Sequence, residues 1–283
     1  MSGTAKSPRA APEIVVEGVH KAFNGNQVLS GIDLEIGCGD IVAIVGDSGC
    51  GKTVLMNLML GLLAPDRGRV RVADHSRPEA PLVDIADLDD TELAGIHTHC
   101  GVVFQRNALF GGSVLDNIAL WLREVKELEA AAIAPLARKV LAAVDLPTDE
   151  AFLDTPSGKL SGGMAKRLAV ARALAMDPAV IFFDEPTTGL DPTSAAHVQD
   201  LVYAAHYEER REAGARTTVI ITHDKDLLTR LQPRIVMLDE GRVFFDGPFD
   251  RFEASTSPTI RPYFDLMPVL HRRAVADRAA GAR

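Results

Sequence analysis

The stretch Gly46-Asp47-Ser48-Gly49-Cys50-Gly51-Lys52-Thr53 constrains this chain more than any other. Its spacing, G-x-x-x-x-G-K-[ST], is that of a phosphate-binding loop. The apolar residues Ile41 to Val45 precede it, as in a strand buried on both faces. A nearly all-apolar run, Val54 to Leu63, follows and suits a buried helix. Strand, glycine turn and helix is the context such a loop requires. The glycines let the backbone approach an anion and aim successive N–H groups at it. The helix N-terminus adds about half a positive charge at the same place. In that geometry Lys52 reaches the β- and γ-phosphates of a nucleotide, and the Thr53 hydroxyl ligates Mg2+.

The rest of the composition narrows the setting. With 283 residues there is length for one large or two small domains and a sizeable core. The net charge of −9 offers no electrostatic case for nucleic acid. The cysteines Cys38, Cys50 and Cys100 form no C-x-x-C pair, which argues against a zinc site or a disulfide framework and fits a reducing compartment. Residues Met1 to Pro12 are small and polar and lack the apolar core of a secretion signal. No apolar run approaches the roughly 20 residues of a membrane-spanning helix, so work at a membrane calls for a partner.

Along the chain, residues 1–12 read as a mobile arm. Ile14–Val16, Gln27–Leu29 and Ile32–Ile36 read as short strands separated by the turn signals Asn24-Gly25-Asn26 and Gly37-Cys38-Gly39-Asp40. This predicts an antiparallel opening ahead of the P-loop strand. Phe23, at the edge of a turn, is open to two readings, a ring that stacks on adenine or a buried core residue. Arg69–Val72 resumes a strand, and an acidic stretch over 74–95 ends in a short helix near Asp89. Gly101–Gln105 reads as a buried strand ending in a glutamine. From 113 to 146 the pattern is helical, with Val114, Ile118, Trp121, Leu122 and Val125 at helical spacing. A helical insert of about 50 residues thus interrupts an α/β pattern. Ser161 is placed to cap a helix whose apolar stripe is Met164, Leu168, Ala171 and Leu174, with Lys166, Arg167 and Arg172 on its remaining surface. Val180–Phe183 is a strand that ends in Asp184 and Glu185. A turn over 189–192, a helix over 193–212, a strand over 217–222 ending at His223 and a hairpin over 234–245 follow. Residues 249–283 form an extension with an amphipathic patch (Ile260, Tyr263, Phe264, Leu266) and a tail carrying Arg272, Arg273, Arg278 and Arg283. That patch either clasps a second copy of the chain or packs on its own cassette.

Five features join the P-loop. Asp184 closes an apolar strand, where a carboxylate holds Mg2+ in P-loop ATPases. Glu185 is placed to orient an attacking water. Gln105 ends a strand and can report on metal and water. Leu160-Ser161-Gly162-Gly163 opens a second helix at an anion-ready N-terminus. His223 ends a strand where an imidazole can touch a γ-phosphate.

Together these resemble the ATP-binding cassette ATPases over about residues 13–248. The resemblance implies an α/β P-loop NTPase (RecA-like) core with an N-terminal antiparallel β subdomain and an α-helical subdomain over about 105–160. It implies ATP and Mg2+ as cofactors. Gly46 to Thr53 hold the triphosphate and Phe23 the adenine. Leu160 to Met164 resemble the signature motif, Gly189-Leu190-Asp191 the D-loop, Gln105 the Q-loop glutamine and His223 the switch histidine. Catalysis then falls to Glu185, His223, Lys52 and Gln105, and metal binding to Thr53, Gln105 and Asp184. Two cassettes sandwich two ATP head to tail in that family, so Ser161, Gly162, Gly163 and Asp191 complete the partner's site. The resemblance further implies a multi-pass permease gripped by the helical insert, at the cytoplasmic face of the inner (plasma) membrane. The signature departs from the commoner pattern in reading Leu-Ser-Gly-Gly-Met. With Met164-Ala165-Lys166-Arg167 and Phe104-Gln105-Arg106-Asn107-Ala108-Leu109-Phe110, it is similar to cassettes of MCE-type lipid transport, with an MCE-type lipid-binding partner. Import of another solute such as amino acids, or a regulatory scaffold of the cell-division type, are the alternatives.

Overall fold

The computed structural model describes residues 10–207 and 214–267. Of the arm expected over 1–12, residues 1–9 lie outside the described residues, as do the arginines of the tail, while Ala11 accepts from the Cys38 N–H at 2.7 Å and Pro12 opens the first strand, so these two residues pair rather than swing free. Two long strands open the chain, β1 (Pro12–Phe23) and β2 (Asn26–Gly37), joined at Asn24-Gly25 with both residues at positive φ, 51° and 82°. Such a tight turn suits the twist of an antiparallel pair. The sequence pattern suggests two strands within 27–36. The fold makes them one, because Gly31 (φ 72°) bends the chain without ending its pairing to β1. With β4 (Arg67–Ala73) and β5 (Leu82–Asp84) these strands form an antiparallel sheet in the order β2-β1-β4-β5.

The second sheet carries the chemistry. It comprises β3 (Ile41–Val45), β6 (Cys100–Val103), β7 (Val180–Asp184), β8 (Thr217–Ile221), β9 (Arg234–Asp239) and β10 (Arg242–Pro248) in the order β10-β9-β3-β8-β7-β6. Only β10 runs antiparallel to its neighbour within this sheet. Every residue of β7 and β8 is buried, as expected of parallel strands covered on both faces. Helix α1 (Lys52–Met59) follows the P-loop and packs between the two sheets, burying Leu55, Met56, Leu58 and Met59. It is shorter than the apolar run suggests: Gly61 adopts φ 69°, and Leu60 to Leu63 continue as a turn.

The helical part comprises α2 (Asp90–His97), α3 (Val114–Glu124), α4 (Ala130–Ala143) and α5 (Glu150–Leu153), then α6 (Gly162–Ala175). Helix α3 starts at a reciprocal cap in which Ser113 and Asp116 satisfy each other's backbone N–H groups. Its buried stripe is Val114, Ile118 and Leu122 against α4 and α6. Trp121, read from spacing as part of that stripe, is 46% exposed instead, because it lies on the flank one residue before Leu122. Helix α6 is enclosed on nearly every side, so Lys166 is buried at 1% exposure rather than decorating a solvent face. Gln105 lies two residues beyond β6, in a loop, rather than at the strand's end. Helices α7 (Pro192–Tyr207) and α8 (Lys225–Leu231) follow β7 and β8; of the helix expected over 193–212, the stretch to Tyr207 is described.

The extension packs on its own cassette. Helices α9 (Phe249–Glu253) and α10 (Ile260–Leu266) set Phe249, Phe252, Ile260 and Phe264 against Ala43 and Val45 of β3 and Ile235 and Met237 of β9. The aromatic rings meet edge to face, Phe252 and Phe264 at 5.8 Å and 88°.

Candidate functional site

Ligands in open α/β sheets bind beyond the carboxyl ends of the strands. Here the order β3-β8-β7 brings three such ends side by side: the P-loop after β3, His223 after β8, and Asp184 with Glu185 at the end of β7. They border a cavity of about 620 Å³ lined by Gly46, Asp47, Ser48, Gly49, Gly51, Lys52, Thr53, Gln105, Asp184, Glu185 and His223. That volume is ordinary for a cofactor or small substrate.

The loop holds its shape through backbone contacts. Gly46 adopts φ 139°, and a Cβ there would lie 2.3 Å from the Leu238 carbonyl oxygen, so only glycine fits. The Lys52 ammonium reaches back over the loop and donates to the carbonyls of Gly46 at 2.7 Å and Asp47 at 2.8 Å. Cys50 turns inward beneath the loop and is not among the cavity's lining residues. Burial pushes its thiol up from the ordinary value, against the pull of Lys52, which leaves it protonated and unreactive.

Opposite the loop, Asp184 is only 7% exposed. Burial, then the neighbouring Glu185 charge, push its carboxyl up, while Lys166 and Lys52 pull it down. Glu185 sits in the left-handed region at φ 48°, rare for a non-glycine residue and characteristic of constrained functional turns. Its N–H donates to the Ile221 carbonyl at 2.9 Å, which ties the turn to the end of β8. Its Oε2 lies 2.7 Å from His223 Nδ1 and accepts from the Thr188 hydroxyl at 3.2 Å. The hydrogen bond to Glu185 raises the His223 pKa against the opposing effect of burial. Beneath this pair, buried Asp224 accepts from Thr187 at 2.9 Å and Gln199 at 2.8 Å, fixing the loops that follow β7 and β8 to each other.

The donor set suits a hard divalent cation. A hydroxyl (Thr53), a carboxylate (Asp184) and an amide (Gln105) face one cavity, and the raised Asp184 carboxyl is relieved by positive charge beside it. Among the described residues no group of three His, Cys, Asp or Glu side chains could hold a metal alone. A Mg2+ ion that takes most of its ligands from phosphates and water needs no such group.

The remaining predicted residues lie elsewhere. Ser161 caps α6, its hydroxyl accepting from the Met164 N–H at 3.3 Å, and neither it, Gly162 nor Gly163 lines the cavity. Gly163 abuts α7, where a Cβ would lie 2.4 Å from Ser194 Oγ. Asp191 accepts from that same Ser194, from its N–H at 3.1 Å and its hydroxyl at 2.6 Å, so Asp191 and the start of α6 share one surface. Phe23 ends β1 at 40% exposure with the Lys21 ammonium 5.4 Å from its ring. It is not a core residue, nor does it border the cavity itself.

Four residues at the site, three on the extension and one on α6, escape sequence reasoning. Tyr263, Leu266 and Met267 of the extension reach the cavity's edge. Lys166 donates to the carbonyls of Phe104 at 3.0 Å and Gln105 at 2.9 Å, and Arg172, also on α6, donates to that of Ala108 at 2.8 Å. The backbone around Gln105 is thus moored by α6. Burial lowers the Lys166 pKa to about 8, with Asp184 opposing the shift. Lys166→Met is expected to speed amide exchange over 104–110 about tenfold, the factor carried by one charge-assisted hydrogen bond. The melting temperature is expected to change little, because relief of the buried charge offsets the lost bonds. Exchange at the parent rate would show that the loop is held without Lys166.

Comparison with known proteins agrees with this geometry. The family model described as "ABC transporter" matches residues 29–188. The chain is 35% identical over 257 residues to "Protein TRIGALACTOSYLDIACYLGLYCEROL 3, chloroplastic" of Arabidopsis thaliana, covering 87% of this chain and 71% of that one. It is 32% identical over 266 residues to "Probable ribonucleotide transport ATP-binding protein mkl" of Mycobacterium tuberculosis, covering 91% and 70%. Among solved structures it matches the ATP-binding cassette MJ0796, a dimer in a post-hydrolysis state bound to ADP and Pi, with TM-score 0.71 and 29% identity over 83% of this chain and 98% of that one. A P-loop, paired carboxylates and a histidine at adjacent strand ends, with a family match spanning the loop to Thr188, make one reading. The chain belongs to the ABC transporter family: it is an ATP-hydrolysing cassette that uses ATP with Mg2+.

Proposed function

We propose that two copies of this chain close around two ATP molecules and drive a membrane permease that moves lipid. The observation that carries the pairing is that Ser161, Gly162 and Gly163 stand apart from the cavity that Lys52, Asp184, Glu185 and His223 share. One copy alone therefore offers half of the contacts to a γ-phosphate, and a second copy supplies the rest. The dimeric cassette structure to which the chain is similar supports this.

In this reading the P-loop amides and Lys52 take the triphosphate, and Phe23 takes the adenine, exposed where a base can stack. Thr53 and Asp184, with Gln105 beside them, hold Mg2+, which supplies charge neutralisation on the phosphates. Ser161 and the Gly162 and Gly163 amides of one copy contact the γ-phosphate held by the other, with Asp191 at their contact. Glu185, steadied by His223, orients the attacking water. Phosphoryl transfer asks mainly for positioning and electrostatic stabilisation, which these groups provide.

The cassette proper spans 13–248 in this proposal, with a helical subdomain over about 105–160 and the extension from 249 onward. An apolar groove of about 670 Å³ between the helical part and the sheet, bordered by Leu62, Phe104, Phe110, Trp121, Val125 and Met176, is where the permease would dock. It adjoins the Gln105 loop, so docking and hydrolysis can be felt by each other. Among the described residues no helix is long and apolar enough to cross a membrane, which suits a peripheral subunit at the cytoplasmic face of the inner membrane. The lipid cargo and an MCE-type lipid-binding partner rest on the Met164 signature and the Phe104–Phe110 segment, together with a relative named after a galactolipid. Another relative is named for ribonucleotide transport, so the cargo is decided by co-purification from detergent-solubilised membranes. A multi-pass protein together with a lipid-binding protein supports the proposal. A multi-pass protein with a soluble-solute receptor would overturn the lipid part, and a peptidoglycan-associated partner would favour a scaffold of the cell-division type.

Ser161→Ala tests the cross-copy site. It is expected to lower hydrolysis at least tenfold, roughly one lost hydrogen bond to a charged group, while ATP affinity of the monomer is unchanged. The lost helix cap costs about 1 kcal/mol of stability, which a thermal melt reads separately. A fall in monomer affinity would place Ser161 in its own copy's site.

A further inference from the structure

The extension lies outside the family match, yet one of its side chains touches the P-loop. The Tyr263 hydroxyl accepts from the Gly46 N–H at 2.9 Å and faces the Gly46 carbonyl at 3.3 Å, to which it donates. That same carbonyl also accepts from Lys52 at 2.7 Å. The placement of Tyr263 is rigid. Ile260 and Phe264, on either side of it in α10, are 3% and 2% exposed and rest on Ala43 and Val45 of β3, the strand that runs directly into Gly46. Burial pushes the Tyr263 phenol up to about 12, so it keeps its proton and can donate.

Without nucleotide, then, the Gly46 carbonyl has two donors. If Lys52 turns to a triphosphate, it must give up the carbonyls of Gly46 and Asp47. Gly46 cannot rearrange to find another partner, since its backbone is pressed against the Leu238 carbonyl. A buried carbonyl left without a donor is costly, and here that cost would fall on the nucleotide-bound state alone.

We propose that Tyr263 is a positioning residue for the P-loop: its hydroxyl keeps the Gly46 backbone satisfied when Lys52 leaves it for the triphosphate. The extension thereby favours the nucleotide-bound loop without touching the nucleotide. This rests on the reading of Lys52 as a phosphate ligand, and the experiment separates the two.

Tyr263→Phe keeps the ring and removes the hydroxyl. It is expected to raise the dissociation constant for MgATP about fivefold, the factor of one neutral hydrogen bond, and to raise KM by the same factor with kcat within about twofold. The effect should depend on Lys52. In the Lys52→Ala background, where no ammonium leaves Gly46, Tyr263→Phe should add less than twofold, read by titration with ATP into the millimolar range. A purely structural role would lower the melting temperature and weaken binding equally in both backgrounds, and that result would overturn the proposal. So would an unchanged dissociation constant in Tyr263→Phe while Lys52→Ala still loses affinity. If Lys52→Ala itself binds like the parent, the phosphate role of Lys52 falls first, and the Tyr263 proposal falls with it.

Discussion

Glu185→Gln is expected to bind MgATP with parental affinity, to hydrolyse it about a hundredfold to a thousandfold more slowly, and to accumulate as a closed dimer. The factor is that of removing one well-placed electrostatic or hydrogen-bonding group from a transition state. Glutamine keeps the shape of the side chain and the constrained turn at φ 48°, but it loses the charge that pairs with His223 at 2.7 Å. It also cannot accept a proton from an attacking water. Because Glu185 is the leading cause of the raised His223 pKa, the same substitution should lower that pKa. His223 would then lose its proton at lower pH than in the parent, which an NMR titration of the imidazole reads. Mass measured in solution should double on addition of ATP and fall back on its removal. Parental hydrolysis would remove Glu185 from the mechanism. A hydrolysis-dead protein that stays monomeric with ATP, even beside its membrane partner, would instead remove the two-copy site.

Lys52→Ala is expected to weaken MgATP binding about tenfold to a hundredfold, since a charged donor to phosphate is worth about 1.5–3 kcal/mol per hydrogen bond and the lysine is placed for at least one. Isothermal titration or a fluorescent ATP analogue measures it. The fold should tolerate the change, because the Gly46 carbonyl keeps the Tyr263 hydroxyl as a donor and Asp47, whose carbonyl is the other contact, is exposed to water. A melting temperature within a few degrees of the parent therefore belongs to the expected result. Unchanged affinity would mean that the loop's amides and helix dipole hold the phosphates unaided.

How far these residues could be read from the chain follows a physical line. The P-loop is legible because its chemistry is local: glycines, lysine and threonine act within eight consecutive residues, and the flanking strand and helix announce themselves by apolar runs. Asp184, Glu185 and His223 are legible for a related reason, since each ends or follows a short buried strand of the kind at whose carboxyl end a ligand sits. The strands within 27–36 were harder, because a glycine that usually breaks a strand here only bends one. Trp121 misleads because helical spacing cannot tell the centre of a buried stripe from its flank.

Other features depend on which elements the fold brings together. Lys166 reads as a surface cation until α6 is enclosed by β6, α4 and α7, and only then do the Phe104 and Gln105 carbonyls come within its reach. Tyr263 stands 217 residues from Gly46 along the chain, and no local pattern links them. The sequence by itself determined the nucleotide chemistry and the layered α/β core, because phosphate binding and strand burial are written in short-range spacing. The tertiary structure alone decided which side chains steady that chemistry, because a hydrogen bond between distant segments exists only once packing has set their separation.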